Sequence, residues 1–244
     1  MTWKNYLFDS SVAHDSSKPV FSMRNSGYID RFKVLECMIP SSWYSTASNN
    51  NTVNVTVGGS IYNATIPSGN YTVSTFPAAL QSALTTAVAN GWTVTFNDVQ
   101  RNLTITGTTA FTFNNYTAGT SAFKQIGMEK NISTASGTTW TGSVIDLSGI
   151  TSLLLTSTQL TSRDVTYSGY GQVSVLLKID IAGPVGSYIQ YRNPGSYVYM
   201  GSDLHYADFQ LLDGSTLLPV NLNGKSFSLN IGICTDSDDP VTIM

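Results

Sequence analysis

A chain of 244 residues with only 11% charged side chains, against about 25% in a typical soluble domain, must draw its polar surface from Ser, Thr, Asn and Gly. Its net charge of −3 and pI near 5.2 offer no basic footprint for nucleic acid, and no Lys/Arg cluster exceeds Arg31-x-Lys33. No apolar run reaches the roughly 18 residues of a membrane-spanning helix, and the opening MTWKNYLFDSS lacks the apolar core and cleavage site of a secretory leader, so neither membrane insertion nor export is expected.

Residues 1–20 are polar, with Asp9, His14 and Asp15, and read as an extended arm pinned by Trp3, Tyr6 and Leu7. From Tyr28 the segment YIDRFKVLECMIP carries strand formers on both faces, as an interior strand does, and Pro40 ends it. Val53, Val55 and Val57 then alternate with polar residues, Gly58-Gly59 turns the chain, and IYNATI returns as a hairpin. One good helix follows, capped by Ser74 or Thr75, with Pro77 in its first turn and Leu80, Leu84 and Val88 at helical spacing; Asn90-Gly91 stops it. Trp92, Val94 and Phe96 lead through Asn97-Asp98 to Leu103 and Ile105, a second hairpin. The block 52–106 is therefore expected as a hairpin–helix–hairpin insertion between early strands.

Phe111-Thr-Phe113 reads as a further strand, SAFKQIGM as a helical turn ending at Gly127, and residues 131–143 as a surface loop. The segment with Leu153, Leu154 and Leu155 carries one or two strands. The loop bearing Tyr167 and Tyr170 suits a tip that meets a partner. Residues 172–181 form the strongest strand pattern, with Val173, Val175, Leu177, Ile179 and Ile181 on one face. Segments 188–191 and 197–200 flank Asn193-Pro194-Gly195 as a hairpin-like unit. At the end, Ala207, Phe209 and Leu211 alternate as one strand and Phe227, Leu229, Ile231 and Ile233 as another, with turns at Asp213-Gly214 and Asn223-Gly224. This closing stretch reads as a β-hairpin with an embellished connection. Turn signals roughly every 8–12 residues and no fixed repeat make the chain all-β, an antiparallel sandwich or jelly roll.

Catalytic chemistry is poorly supplied. The histidines are His14 and His205, and the glutamates Glu36 and Glu129. Asp203, His205 and Asp208 have the spacing of a metal set, but no further ligand cluster accompanies them, and they read as a strand entrance. Asp236, Asp238 and Asp239 lack the spaced Gly and Glu of a calcium loop and read as a solvated tail. Cys37 and Cys234 lie in apolar strands, either as two buried free thiols or as a cross-sheet bridge; burial there disfavours thiol catalysis. No catalytic residue, metal or cofactor is assigned, and the chain does not read as an enzyme.

Four segments carry a resemblance. They are IPSSWY at 39–44, IPSGNYT at 66–72 before the helix, VIDLSGI at 144–150, and KIDI at 178–181 with GSYIQY at 186–191, continuing to LLDG at 211–214 and LNGKSFSL at 222–229. In order and spacing they resemble the penton and minor capsid proteins of virophages, polinton-like viruses and their larger DNA-virus relatives, over residues 28–234. The resemblance implies a single jelly roll of about eight core strands over residues 21–244, because the length leaves no room for two. It implies a structural virion protein, a homopentamer at the icosahedral vertices, with the major capsid protein and other capsid proteins as partners, assembled in an infected cell. A minor capsid or cement protein is the alternative within that class, and a lectin-like receptor-binding β-module the alternative outside it. Trp3, Tyr6, Leu7, Trp43, Tyr44, Tyr167, Tyr170 and Tyr191 are the candidate inter-subunit contacts. In such a fold the last strand lies beside the first, so residues 227–234 should pair with 32–39 and bring Cys234 near Cys37. Deleting residues 1–19 is expected to impair assembly while leaving the jelly roll folded.

Overall fold

The computed structural model describes residues 2–12, 20–22, 28–114, 120–129, 133–160, 174–192, 198–203 and 206–235. Its elements begin with β1 (Thr2–Asp9), β2 (Val20–Ser22), β3 (Tyr28–Pro40), β4 (Thr52–Val57), β5 (Ser60–Thr65), α1 (Phe76–Ala87), β6 (Thr93–Asn97) and β7 (Asn102–Asn114). They continue with α2 (Phe123–Ile126), β8 (Gly137–Val144), β9 (Ser152–Thr156), β10 (Val175–Asp180), β11 (Tyr188–Arg192), β12 (Val198–Asp203), β13 (Tyr206–Asp208), β14 (Gln210–Asp213) and β15 (Ser228–Thr235). The chain divides into two compact units: Met1–Trp43 with Ile150–Met244, and Tyr44–Gly149.

In the first unit, Leu229, Ile231 and Ile233 of β15 are buried on one face while Ser228 and Asn230 face the other way. This period-two pattern seats β15 inside a five-stranded sheet of order β1-β15-β3-β11, with β12 also beside β3. A three-stranded sheet, β10-β9-β14, and a two-stranded pair, β13-β2, complete the unit. Ile29, Phe32, Ile39, Leu229, Ile231 and Ile233 of the larger sheet share one core with Leu153, Leu155, Ile179, Phe209 and Leu211. Burying each such Leu, Ile or Phe contributes about 1.5–3 kcal/mol. The fold is thus the expected all-β, two-sheet antiparallel sandwich of jelly-roll type.

The expected pairing of the last strand with the first long one is present: Ser228 lies opposite Met38 and the ladder runs to Thr235 opposite Ile29. The two thiols nevertheless stay apart. Cys37 is opposite Leu229 and Cys234 opposite Arg31, six positions along β3, or about 20 Å at the rise of a strand. Both are buried and free.

Several expectations are corrected. Residues 2–9, expected in an arm, form β1 and pair with β15 from Thr2–Thr235 to Asp9–Ser228. Phe8 enters the core and Tyr6 packs against it; Trp3 and Leu7 on the opposite face obscured the alternation. The closing stretch is not a hairpin, because β14 pairs with β9 and β15 with β3, so the connection crosses from one sheet to the other. Segments 188–192 and 198–203 do not pair with each other; β11 and β12 line up one after the other along β3. Within the strand expected over 172–181, a register shift between Val175 and Leu177 disrupts the single buried face. Residues 137–143, read as loop, belong to β8 beside β7, where Trp140 packs on Phe113 with ring centroids 5.1 Å apart.

The second unit contains the expected insertion 52–106 and extends beyond it on both sides. Its sheet has the order β5-β4-β7-β6 with β8 beside β7, and α1 lays Phe76, Leu80 and Leu84 onto Val53, Val55, Leu103, Ile105, Phe111 and Phe113. Strand β7 is long because the expected strands at 103–105 and 111–113 are one. Gly127 ends α2 in the left-handed region at φ 74°, and a Cβ there would run into the backbone carbonyl of Ser143.

Two substitutions test this architecture. Phe8→Ala should lower stability by about 3–5 kcal/mol in urea unfolding, whereas an arm outside the fold would leave the midpoint unchanged. Gly127→Ala should cost about 1–3 kcal/mol or more, while Gly69→Ala, whose Cβ would meet only the Tyr71 ring at 3.6 Å, should be nearly neutral by the same measurement.

Candidate functional site

Alternation along β1 sends Trp3, Asn5 and Leu7 to the outer face of the five-stranded sheet, opposite the core. Trp3 is 43% exposed and Leu7 77%. On the neighbouring strands the same face carries Lys33, Glu36 and Met38 of β3 and Tyr188, Gln190 and Arg192 of β11. Lys33 places Nζ 4.9 Å from the Trp3 ring centroid, a cation–π contact. Its stem passes over Gly232, where an added Cβ would lie 3.4 Å from Lys33 Cγ and Cε. The absence of a side chain in β15 therefore lets a residue of β3 reach one of β1.

Further along this face, Gln190 Nε2 donates to Glu36 Oε1 at 2.7 Å and Arg192 Nε donates to the same oxygen at 3.1 Å. These bonds, Gln190 first and Arg192 second, hold the Glu36 carboxyl below its ordinary pKa. Behind it, burial pushes the Cys37 thiol up to about 12, with the Glu36 charge adding to the effect. A thiol of that pKa carries almost no thiolate at neutral pH and is a poor nucleophile.

The other candidate contacts fall in different places. Tyr6 stacks on Phe8 with ring centroids 6.2 Å apart, and Tyr191 packs against the core from β11. Trp43 is only 5% exposed, a core residue of the first unit. Tyr44, in the second unit, is 42% exposed. Tyr167 and Tyr170 lie outside the described residues, as do His14, His205, Asp236, Asp238 and Asp239. Tyr188, in a Tyr-rich segment suited to subunit contacts, is 66% exposed, placed on the outer face by the alternation of Tyr188, Gln190 and Arg192 with Ile189 and Tyr191.

Asp208 of the Asp203-His205-Asp208 set is occupied structurally. It accepts bonds from Ser157 Oγ at 3.0 Å, Thr158 N at 2.9 Å, Thr158 Oγ1 at 2.8 Å and Gln159 N at 3.2 Å. Among the described residues, no three His, Cys, Asp or Glu side chains gather where a metal ion would sit. A groove of about 460 Å³ beside α1 and β6 is lined by Ser74, Pro77, Gln81, Ser82, Thr85 and Val94 and others, with no acid, base or thiol among its lining residues.

No protein-family model matches this chain, and no curated protein matches it either. Two solved structures are similar over nearly its full length. The crystal structure of the mavirus penton protein aligns at 12% identity over 96% of this chain and 99% of that one, with a TM-score of 0.49. The 3.5 Å cryo-EM structure of the Sputnik virophage aligns at 12% identity over 96% of this chain and 98% of that one, with a TM-score of 0.43.

The buried thiols give a direct check on the packing. In native buffer at pH 8 a thiol-specific reagent should leave both Cys37 and Cys234 unmodified, and in urea it should label both, as mass spectrometry would read.

Proposed function

We propose that this chain is a structural virion protein, a single jelly-roll penton subunit that assembles as a homopentamer at the icosahedral vertices. The observation that carries the proposal is the outer face of the five-stranded sheet, where Trp3, Leu7, Met38 and Tyr188 stand exposed on a chain with few charged residues. The charges on this face are already engaged, Glu36 with Arg192 and Lys33 over the Trp3 ring, so a partner can cover its large apolar side chains without leaving those charges unpaired. The order and spacing of the IPSSWY, IPSGNYT and VIDLSGI segments add the resemblance to capsid proteins.

The role is passive. Copies placed side by side around a fivefold axis bury one surface against a different surface of the next copy, an interface that closes by symmetry. The major capsid protein and other capsid proteins would then flank the ring.

Native mass spectrometry of the purified chain should give five times the 26.3 kDa subunit mass, and a particle reconstruction should place the chain on the fivefold axes. A strictly monomeric protein that binds glycans on an array would instead identify a lectin-like module.

A further inference from the structure

Among the described residues, the five-stranded sheet ends in β1 on one side and has β11 at the other end of its path. Both ends have a definite hydrogen-bonding polarity. Ser10 N donates to Phe227 O at 2.9 Å, at the next position of a β1–β15 ladder with no register shift. In an antiparallel ladder such bonded pairs recur every second residue. Phe8, Tyr6 and Lys4 therefore bond toward β15, and the N–H and C=O groups of Trp3, Asn5 and Leu7 point away from it.

At the other end, Ser41 N donates to Ser187 O at 2.8 Å, beside the Tyr188–Pro40 pair. The same alternation turns the backbone groups of Tyr188, Gln190 and Arg192 away from β3. Each edge thus presents three residues, and all six side chains lie on the outer face of the sheet.

We infer that the β1 edge of one copy pairs with the β11 edge of the next, continuing the sheet from subunit to subunit; this rests on the homomeric assembly proposed above and names its contact. Strand direction allows it. Because β1, β15, β3 and β11 alternate in direction, β11 and the β1 of a following copy meet antiparallel when the sheet is simply extended. With Asn5 opposite Gln190, the register sets Trp3 opposite Arg192 and Leu7 opposite Tyr188. These are a cation–π pair, an amide pair and an apolar pair, all with exposed side chains. Arg192 keeps its bond to Glu36 while its guanidinium meets the indole. Exposed edges without a proline or a bulge are templates for strand pairing, and β1 has neither.

Proline tests this without dismantling the fold, because the N–H it removes at Asn5 or Gln190 faces the open edge and not the ladder. Asn5→Pro and Gln190→Pro should each keep the wild-type circular dichroism spectrum and each lose the oligomer in native mass spectrometry. An equimolar mixture of the two should recover a heterodimer, since each retains one intact edge of opposite kind. If the wild type is pentameric and both folded variants remain pentameric, the edge contact is wrong and the penton proposal stands. If the wild type is monomeric at every concentration, both fall. A dimer lost in Asn5→Pro but kept in Gln190→Pro would overturn the inference in favour of β1 pairing with β1.

Discussion

The first unit depends on the insertion of β15 between β1 and β3. This one strand, from the end of the chain, makes both ladders that hold residues from its beginning. Without it, β1 has no partner among the described residues and Phe8 loses the position from which its ring meets Phe209 at 5.2 Å. Pairings of such large sequence separation carry a high loop-closure cost before they return any stabilisation.

The scarcity of charge finds its structural counterpart in the turns. Where long charged side chains are few, short polar ones satisfy the backbone locally. Asn90 accepts from Thr109 N at 2.7 Å and donates to Thr109 O at 3.0 Å. Asp213 accepts from Ser215 N and Thr216 Oγ1, both at 2.8 Å, and Asp208 organises the turn at Ser157. Such side chains lose little rotamer entropy when fixed and leave a surface that a neighbouring subunit can cover at small electrostatic cost. Composition, turn chemistry and the proposed assembly are consistent with one another for this reason.

Elements whose two faces differ sharply were legible in the sequence. The β4–β5 hairpin, α1 with Leu80 and Leu84, and β15 with Leu229, Ile231 and Ile233 each showed their period. The strands β1 and β8 were not. In β1, Trp3 and Leu7 point outward and hid the inward Tyr6 and Phe8. In β8, Thr and Gly masked a strand whose inward anchor is Trp140 alone. Of the candidate contacts, Trp3 and Leu7 are exposed and Trp43 is in the core, a difference that residue type alone does not state.

By itself the sequence determined the all-β class and the one helix of any length among the described residues, because these follow from local periodicity and turn chemistry; the closure of the last strand onto the first long one was implied only by the resemblance to jelly-roll capsid proteins. Tertiary structure alone decided which strands share a sheet. Periodicity states that a strand has a buried face but not which partner covers it. That is why β14 and β15 lie in different sheets, why Cys37 and Cys234 sit about 20 Å apart in the same one, and why the residues that leave the open edges of β1 and β11 exposed come from opposite parts of the chain.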